Sequence, residues 1–503
     1  MSGPEDGQKR RKISHIDLDE IETRLFIDNK FVNSTGGKTF ETIDPSTESV
    51  ICKVQQASPE DVDKAVEAAK KAFAVGSPWR NLSAADRRNL LLKLADLVER
   101  DRIYLEEVES LDNGKPLGLK GNYGSKVDLS LVIDCYRYYA GWTDKITGDT
   151  IPVDEKTLCY TRKEPIGVCA CIIPWNFPLL MQAWKIAPAL ACGNTVVLKT
   201  SEKTPLSALH VCKLIKEAGF PPGVVNVVNG YGVPTGEYLA RHRDVSKIAF
   251  TGSTAVGHQM LKISSETNLK RVSLELGGKS PMIVFDDADL ETALATAHMG
   301  QFLNQGQVCC ASSRVFVQEG VYEKFVQEVV KRAHDIKLGS FTDGPVEQGP
   351  QVDKKQYDKV LGYIKKGKKE GAKILTGGGP SGLKGYFIQP TVFVDVTDDM
   401  TIAKEEIFGP VMCIFKFRTE EEVIKQANNT LYGLAAIIVS RNVARAMSVA
   451  NQIQAGTVWI NTYGTFDSNI PFGGYKESGH GRDKGKESLD CWLETKTVVI
   501  PME

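Results

Sequence analysis

Downstream of residue 165 the chain alternates short, uninterrupted apolar runs with segments of helical period. The runs are GVCACII (167–173), TVVLK (195–199), VVNVV (224–228) and KIAF (247–250), and between them lie LLMQAWKIAPALACG, PLSALHVCKLIKEAG and PTGEYLARHR. Apolar runs without polar alternation suit strands buried on both faces, so the pattern predicts a parallel, doubly wound sheet with ligands at the carboxyl ends of its strands. A second α/β series starts at PMIVFDDADL (281–290) and includes the amphipathic segments EKFVQEVVKRAHDI and EEVIKQANN. Upstream, Ser58 and Ser83 are placed as N-caps of two helices; Pro59 and early acids follow the first. LCYTRKEP (158–165) and the C-terminal ETKTVVIPME read as strands with no obvious partner in their own sheet, which predicts subunit contacts.

At 503 residues the chain exceeds one ordinary core. Lys+Arg number 62 and Asp+Glu 63, a formal net charge of -1. No net field therefore draws the protein to nucleic acid or an anionic membrane, and recognition must be local. The first residues carry no apolar stretch of the signal-peptide kind, and the KRRK run at 9–12 reads as part of a solvated, disordered arm. The 11 cysteines follow no disulfide or zinc spacing, so no metal is expected and a cytoplasmic protein with reduced thiols is.

Two glycine clusters differ in promise. GGGPSG (377–382) has the spacing of a nucleotide loop but is followed by LKGYFIQP, which opens no helix and reads as a turn. TGSTAVG follows the strand KIAF and opens a helix, so Gly252, Ser253 and Gly257 form a strand–glycine–helix start with bare N–H groups for a pyrophosphate. His258-Gln259 stands where a triphosphate-binding loop needs Lys-Ser/Thr. Lys199, which ends another strand, and Glu202 just beyond it could hold adenosine ribose hydroxyls. In QFLNQGQVCCASSR (301–314), Cys309 and Cys310 stand side by side among amides and small residues. Such a setting admits close backbone approach; two thiols packing as small hydrophobes is the alternative.

PWNFPLLM, LELGGKS, GQVC, EEIFGP and PFGGYKESGHGR occur in this order. Together they resemble the NAD(P)-dependent aldehyde dehydrogenase superfamily from about residue 24 onward, and most of all its tetrameric class, which includes retinal-oxidising members. The resemblance implies two doubly wound Rossmann-like α/β domains, one cofactor-binding and one catalytic, plus a small β oligomerisation element. It implies a disordered tail at 1–23 and an NAD-binding domain at 24–145 and 166–277. The catalytic domain would span 278–478, and the oligomerisation element 146–165 and 479–503.

The resemblance also implies roles. Cys309 would be the nucleophile, Asn176 with the Cys309 N–H the oxyanion donors, and Glu275 the base for the deacylating water. NAD would meet Trp175, Lys199, Glu202, Gly252, Ser253, Gly257, Gln356, Lys359, Glu406 and Phe408. Leu131, Phe177, Trp184, Cys310 and Phe472 would wall a substrate tunnel for an uncharged aldehyde. Family members that accept retinal tend to carry a small residue where this chain has Leu131, eleven positions before Trp142. Two departures stand out: the 114–130 segment is long, and GRDKG replaces the commoner Gly-Arg-Glu in what reads as a site remote from the chemistry. A structural protein recruited from this fold, like a lens crystallin, is the alternative; loss of Cys309, Glu275 or the cofactor residues would mark it, and all are present. A cysteine hydrolase would need a histidine beside Cys309, and His298 is nearest in sequence.

Overall fold

The computed structural model describes residues 12–119 and 122–502. Its first sheet runs, in spatial order, Gly479–His480, Arg271–Glu275, Lys247–Thr251, Val168–Ile172, Thr195–Lys199, Val225–Val228, Leu25–Ile27 and Lys30–Val32. The five strands from Arg271–Glu275 to Val225–Val228 are parallel. Four of them are the four apolar runs of the sequence. Winding reverses between Val168–Ile172 and Lys247–Thr251, and the chain leaves both strands into the same crevice.

The second sheet orders Lys373–Thr376, Thr391–Val394, Val411–Phe417, Arg314–Gln318, Pro281–Val284, Ala435–Val439 and Thr457–Ile460. All pairs but the first are parallel. Here the chain presents its chemistry differently from the expected carboxyl-end rule. Cys309 precedes Arg314–Gln318, and Glu406 and Phe408 precede Val411–Phe417, so they enter the site from the amino ends of their strands.

Local signals explain the helices. Pro59–Phe73 and Ala84–Arg100 each begin with a reciprocal capping box, Ser58 with Asp61 and Ser83 with Asp86. In Pro178–Ala191, every residue of which is buried, both ends of Gln182 lack a hydrogen-bond partner among the described residues.

Two expectations change. Thr157–Pro165 and Leu493–Pro501 do not lack a partner: they pair antiparallel with each other, Leu493 opposite Pro165 through Pro501 opposite Thr157, and Thr150–Asp154 completes a three-stranded sheet. Sequence separation of more than 300 residues hid the pairing, because nothing local marks it. The tail expected to be disordered at 1–23 is ordered from Lys12. Lys12–Ile13 pairs with Ile16–Asp17, Ile16 is fully buried, and His15 reaches Glu107 at 2.6 Å. Residues 1–11, with most of the KRRK run, lie outside the described residues.

Candidate active site

The loop before Arg314–Gln318 is fixed by backbone contact. Asn304 and Gln305 adopt left-handed conformations, φ 48° and 60°, and Gly306 follows at φ 70°. A Cβ on Gly306 would meet the Gly409 carbonyl oxygen at 2.0 Å, and one on Gly278 would meet the Cys309 carbonyl oxygen at 2.3 Å. Only glycine allows these approaches. Two hydrogen bonds tie the loop down: the Gln307 side-chain Oε1 accepts from Val352 N at 3.0 Å, and the Gln305 backbone carbonyl accepts from the Gln351 side chain at 3.3 Å. Cys309 emerges half-buried from this loop, while Cys310 is buried with its Sγ 3.6 Å from the Tyr463 hydroxyl. The contact with Cys310, then burial and the charges of Glu406 and Glu275, push the Cys309 thiol well up, so it holds its proton.

Across from it, the chain leaving Val168–Ile172 passes through Trp175 and Asn176 before its helix. Asn176 Nδ2 donates to the Gln307 carbonyl at 2.9 Å, which ties this turn to the cysteine loop. The Asn176 carbonyl accepts from Lys115 and Asn304, both at 2.9 Å. Lys115 is fully buried and is neutralised by Asp128 at 2.6 Å, which also accepts from Tyr123. Part of the long 114–130 segment is thus a buried prop beneath Asn176; its residues 120 and 121 lie outside the described residues.

Glu275 ends its strand buried, with neither carboxylate oxygen hydrogen-bonded among the described residues. Burial first, and the charge of Asp483 second, raise its pKa well above the ordinary range, against the opposing pull of Lys185. Asp483 is itself paired with Lys185 at 2.5 Å. This corrects the reading of GRDKG as remote. Gly479–His480 adds to the edge of Arg271–Glu275, with Gly479 opposite Glu275, and carries Asp483 into the cavity wall.

One cavity of about 490 Å³ joins these groups. Cys309, Cys310, Glu275 and Asn176 line it, as do Leu131, Phe177, Trp184 and Phe472; the last two rings lie 5.6 Å apart. Trp175, Gly252, Ser253, Gln356, Lys359, Glu406 and Phe408 line the same space. Tyr463 and Asp483 also line it; sequence reasoning missed both, and no local motif marks the tyrosine.

The cofactor half has its own order. Ser253 is the N-cap of Thr254–Glu266, with no side-chain cap bond, and the buried Thr251 hydroxyl beside it has no partner among the described residues. A Cβ on Gly257 would strike Leu276 at 2.6 Å, so that helix packs close on the strand exit. Glu406 accepts from Gly278 N at 3.0 Å, and burial raises its pKa. Phe408, at φ 60°, packs edge-on against Trp175 at 5.2 Å and receives Gln356 Nε2 on its carbonyl at 2.7 Å. Burial lowers Lys359. Lys199 and Glu202 pair at 3.6 Å outside the main cavity, and Gly257 does not line it either. His298 reaches Glu347 at 3.5 Å and stacks edge-on with Phe302, which leaves it engaged away from Cys309.

An uncapped helix start, an orphaned hydroxyl and carboxylates at strand exits suit a dinucleotide. The model of the aldehyde dehydrogenase family matches residues 31–498. The mitochondrial aldehyde dehydrogenase of Mesocricetus auratus is 57% identical over 477 residues, covering 95% of both chains. Aldehyde dehydrogenase 1A1 of Homo sapiens is 55% identical over 478 residues, again covering 95% of each. An aldehyde dehydrogenase from Bacillus cereus, solved as its NAD+ complex, superposes with a TM-score of 0.94 at 51% identity, covering 97% of this chain and 98% of that one.

Proposed function

Since this chain belongs to the aldehyde dehydrogenase family and is an NAD-dependent aldehyde dehydrogenase, we propose how its own residues divide the work. The observation that carries the reading is the single cavity shared by Cys309, Glu275, Asn176 and the strand exits of the cofactor half.

The Cys309 sulfur bonds to the aldehyde carbon as its proton passes to solvent. The carbonyl oxygen becomes an oxyanion held by Asn176 Nδ2 and the Cys309 N–H; losing one such donor typically costs about 2.7–4 kcal/mol of barrier. Bound NAD supplies the hydride acceptor and a positive ring charge. As the C=O reforms, the hydride departs and a thioester remains on Cys309. Glu275 then takes a proton from water as the water oxygen bonds to the acyl carbon. The C–S bond breaks with its electron pair going to the Cys309 sulfur, which regains a proton from Glu275 as the acid leaves. Trp175, Ser253, Gly252, Gly257, Lys199, Glu202, Gln356, Lys359, Glu406 and Phe408 are proposed to hold the dinucleotide, with Glu202 near the adenosine ribose.

Free cysteines throughout suit a reducing compartment, and the cytoplasm is proposed. The three-stranded sheet exposes Ile151, Val153, Leu158, Val499 and Ile500, apolar side chains that fit an interface between copies. A homotetramer is proposed, and sedimentation at micromolar concentration should show four chains; a monomer there would contradict it.

Replacing Cys309 with Ala should abolish turnover while NAD still binds, read by NADH production and cofactor titration. Cys310→Ala should change mainly substrate preference. The reverse pattern would transfer the nucleophile to Cys310.

Glu275 acts as base only when ionised, and its pKa is raised, so deacylation should fall as pH drops through that raised value and hold above it. In Glu275→Gln this pH limb should disappear and acid-quench mass spectrometry should show an acylated enzyme. Wild-type turnover in that variant would remove Glu275 from the reaction.

Leu131 narrows the tunnel mouth, and overpacking there should cost a bulky polyene about 1–3 kcal/mol. That is roughly a 5- to 150-fold loss in kcat/KM. Short aliphatic aldehydes should outperform retinal, and Leu131→Gly should narrow the gap; retinal matching the short substrates in the wild type would disprove this.

A further inference from the structure

Lys484 is 2% exposed and stands at φ 59°, a left-handed conformation that few residues other than glycine adopt. Its ammonium lies over three rings, 4.9 Å from the centre of Trp184, 5.1 Å from Phe466 and 5.6 Å from Phe472. Among the described residues its only hydrogen-bond acceptor is the Asp467 carbonyl, at 3.4 Å. The carboxylate next to it in the chain, Asp483, is committed to Lys185. Burial, partly opposed by Cys135, Cys310, Asp467 and Asp483, brings the Lys484 pKa down to about 8, so it is still mostly charged near neutrality.

All three rings line the cavity, while Lys484 itself stands behind them. An aromatic cage is the usual device for binding a quaternary ammonium, because ring faces are negative. Here a lysine belonging to the protein occupies the cage from behind. A cationic substrate tail entering the tunnel meets rings already polarised toward Lys484 and a like charge across them in a weakly screened space. A neutral tail pays no such cost, and a carboxylate tail is drawn toward the lysine.

We propose that Lys484, held in the Trp184–Phe466–Phe472 cage, is a specificity-determining residue that excludes cationic aldehydes from the tunnel and admits neutral and carboxylate-bearing ones. This rests on the reading of the cavity as the aldehyde site.

The test compares kcat/KM for three aldehydes of similar length: butanal, 4-(trimethylammonio)butanal and 4-oxobutanoate. Butanal oxidation tests the site reading; the ratios to butanal test the filter. In the wild type the cationic aldehyde should fall at least about tenfold below butanal, and 4-oxobutanoate should not. Lys484→Met should close the cationic gap by about fivefold or more and lower the ratio for 4-oxobutanoate, whereas Lys484→Arg should keep the wild-type order. A lysine that only fills space would leave both ratios unchanged in Lys484→Met, and that result overturns the proposal. So does a wild-type enzyme that oxidises the cationic aldehyde as well as butanal, and this comparison decides alone if Lys484→Met is inactive toward butanal.

Discussion

The site depends on backbone lying against backbone. Gly306 abuts the Gly409 carbonyl and Gly278 the Cys309 carbonyl, so the cysteine loop is pressed between the strand exit after Glu275 and the segment before Val411–Phe417. Side chains can relax around a misplaced neighbour; carbonyl oxygens at such distances cannot. The loop inherits its position from both sheets at once, and the Asn176–Gln307 hydrogen bond ties in the turn opposite. Preorganisation of this kind spares the reaction the cost of arranging its donors.

Charge is placed with equal economy. Lys115 with Asp128 and Lys185 with Asp483 are buried pairs whose members satisfy each other, and they support backbone or shape the field. Glu275 is left without a hydrogen-bond partner among the described residues. An unpaired buried carboxyl is costly, and groups kept in that state concentrate where proton transfer is required. The contrast between paired props and an unpaired acid separates scaffold from chemistry better than proximity does.

Much of this was legible in the chain. The four apolar runs are strands, Ser58 and Ser83 cap their helices, and the glycine-and-amide setting of Cys309 does bring backbone close to backbone. What stayed hidden needed long-range pairing. Asp483 and Lys484 looked remote because nothing local reveals that Gly479 lies opposite Glu275. The pairing of Thr157–Pro165 with Leu493–Pro501 was masked the same way, and Ile16 gave no local sign that it would be buried. Tyr463 follows a strand with no motif of its own, and only the packed second sheet sets it against Cys310.

The late arrival of Gly479–His480 at the edge of the first sheet has a consequence for biosynthesis. A growing chain folds from its N-terminus, and both main sheets can assemble almost entirely before this strand leaves the ribosome. Until then the Glu275 edge is open, Lys185 has no Asp483 and the Trp184 cage has no lysine. A nascent polypeptide therefore holds the Cys309 thiol in a near-complete fold without its final charges, and only the arrival of this late strand completes the site.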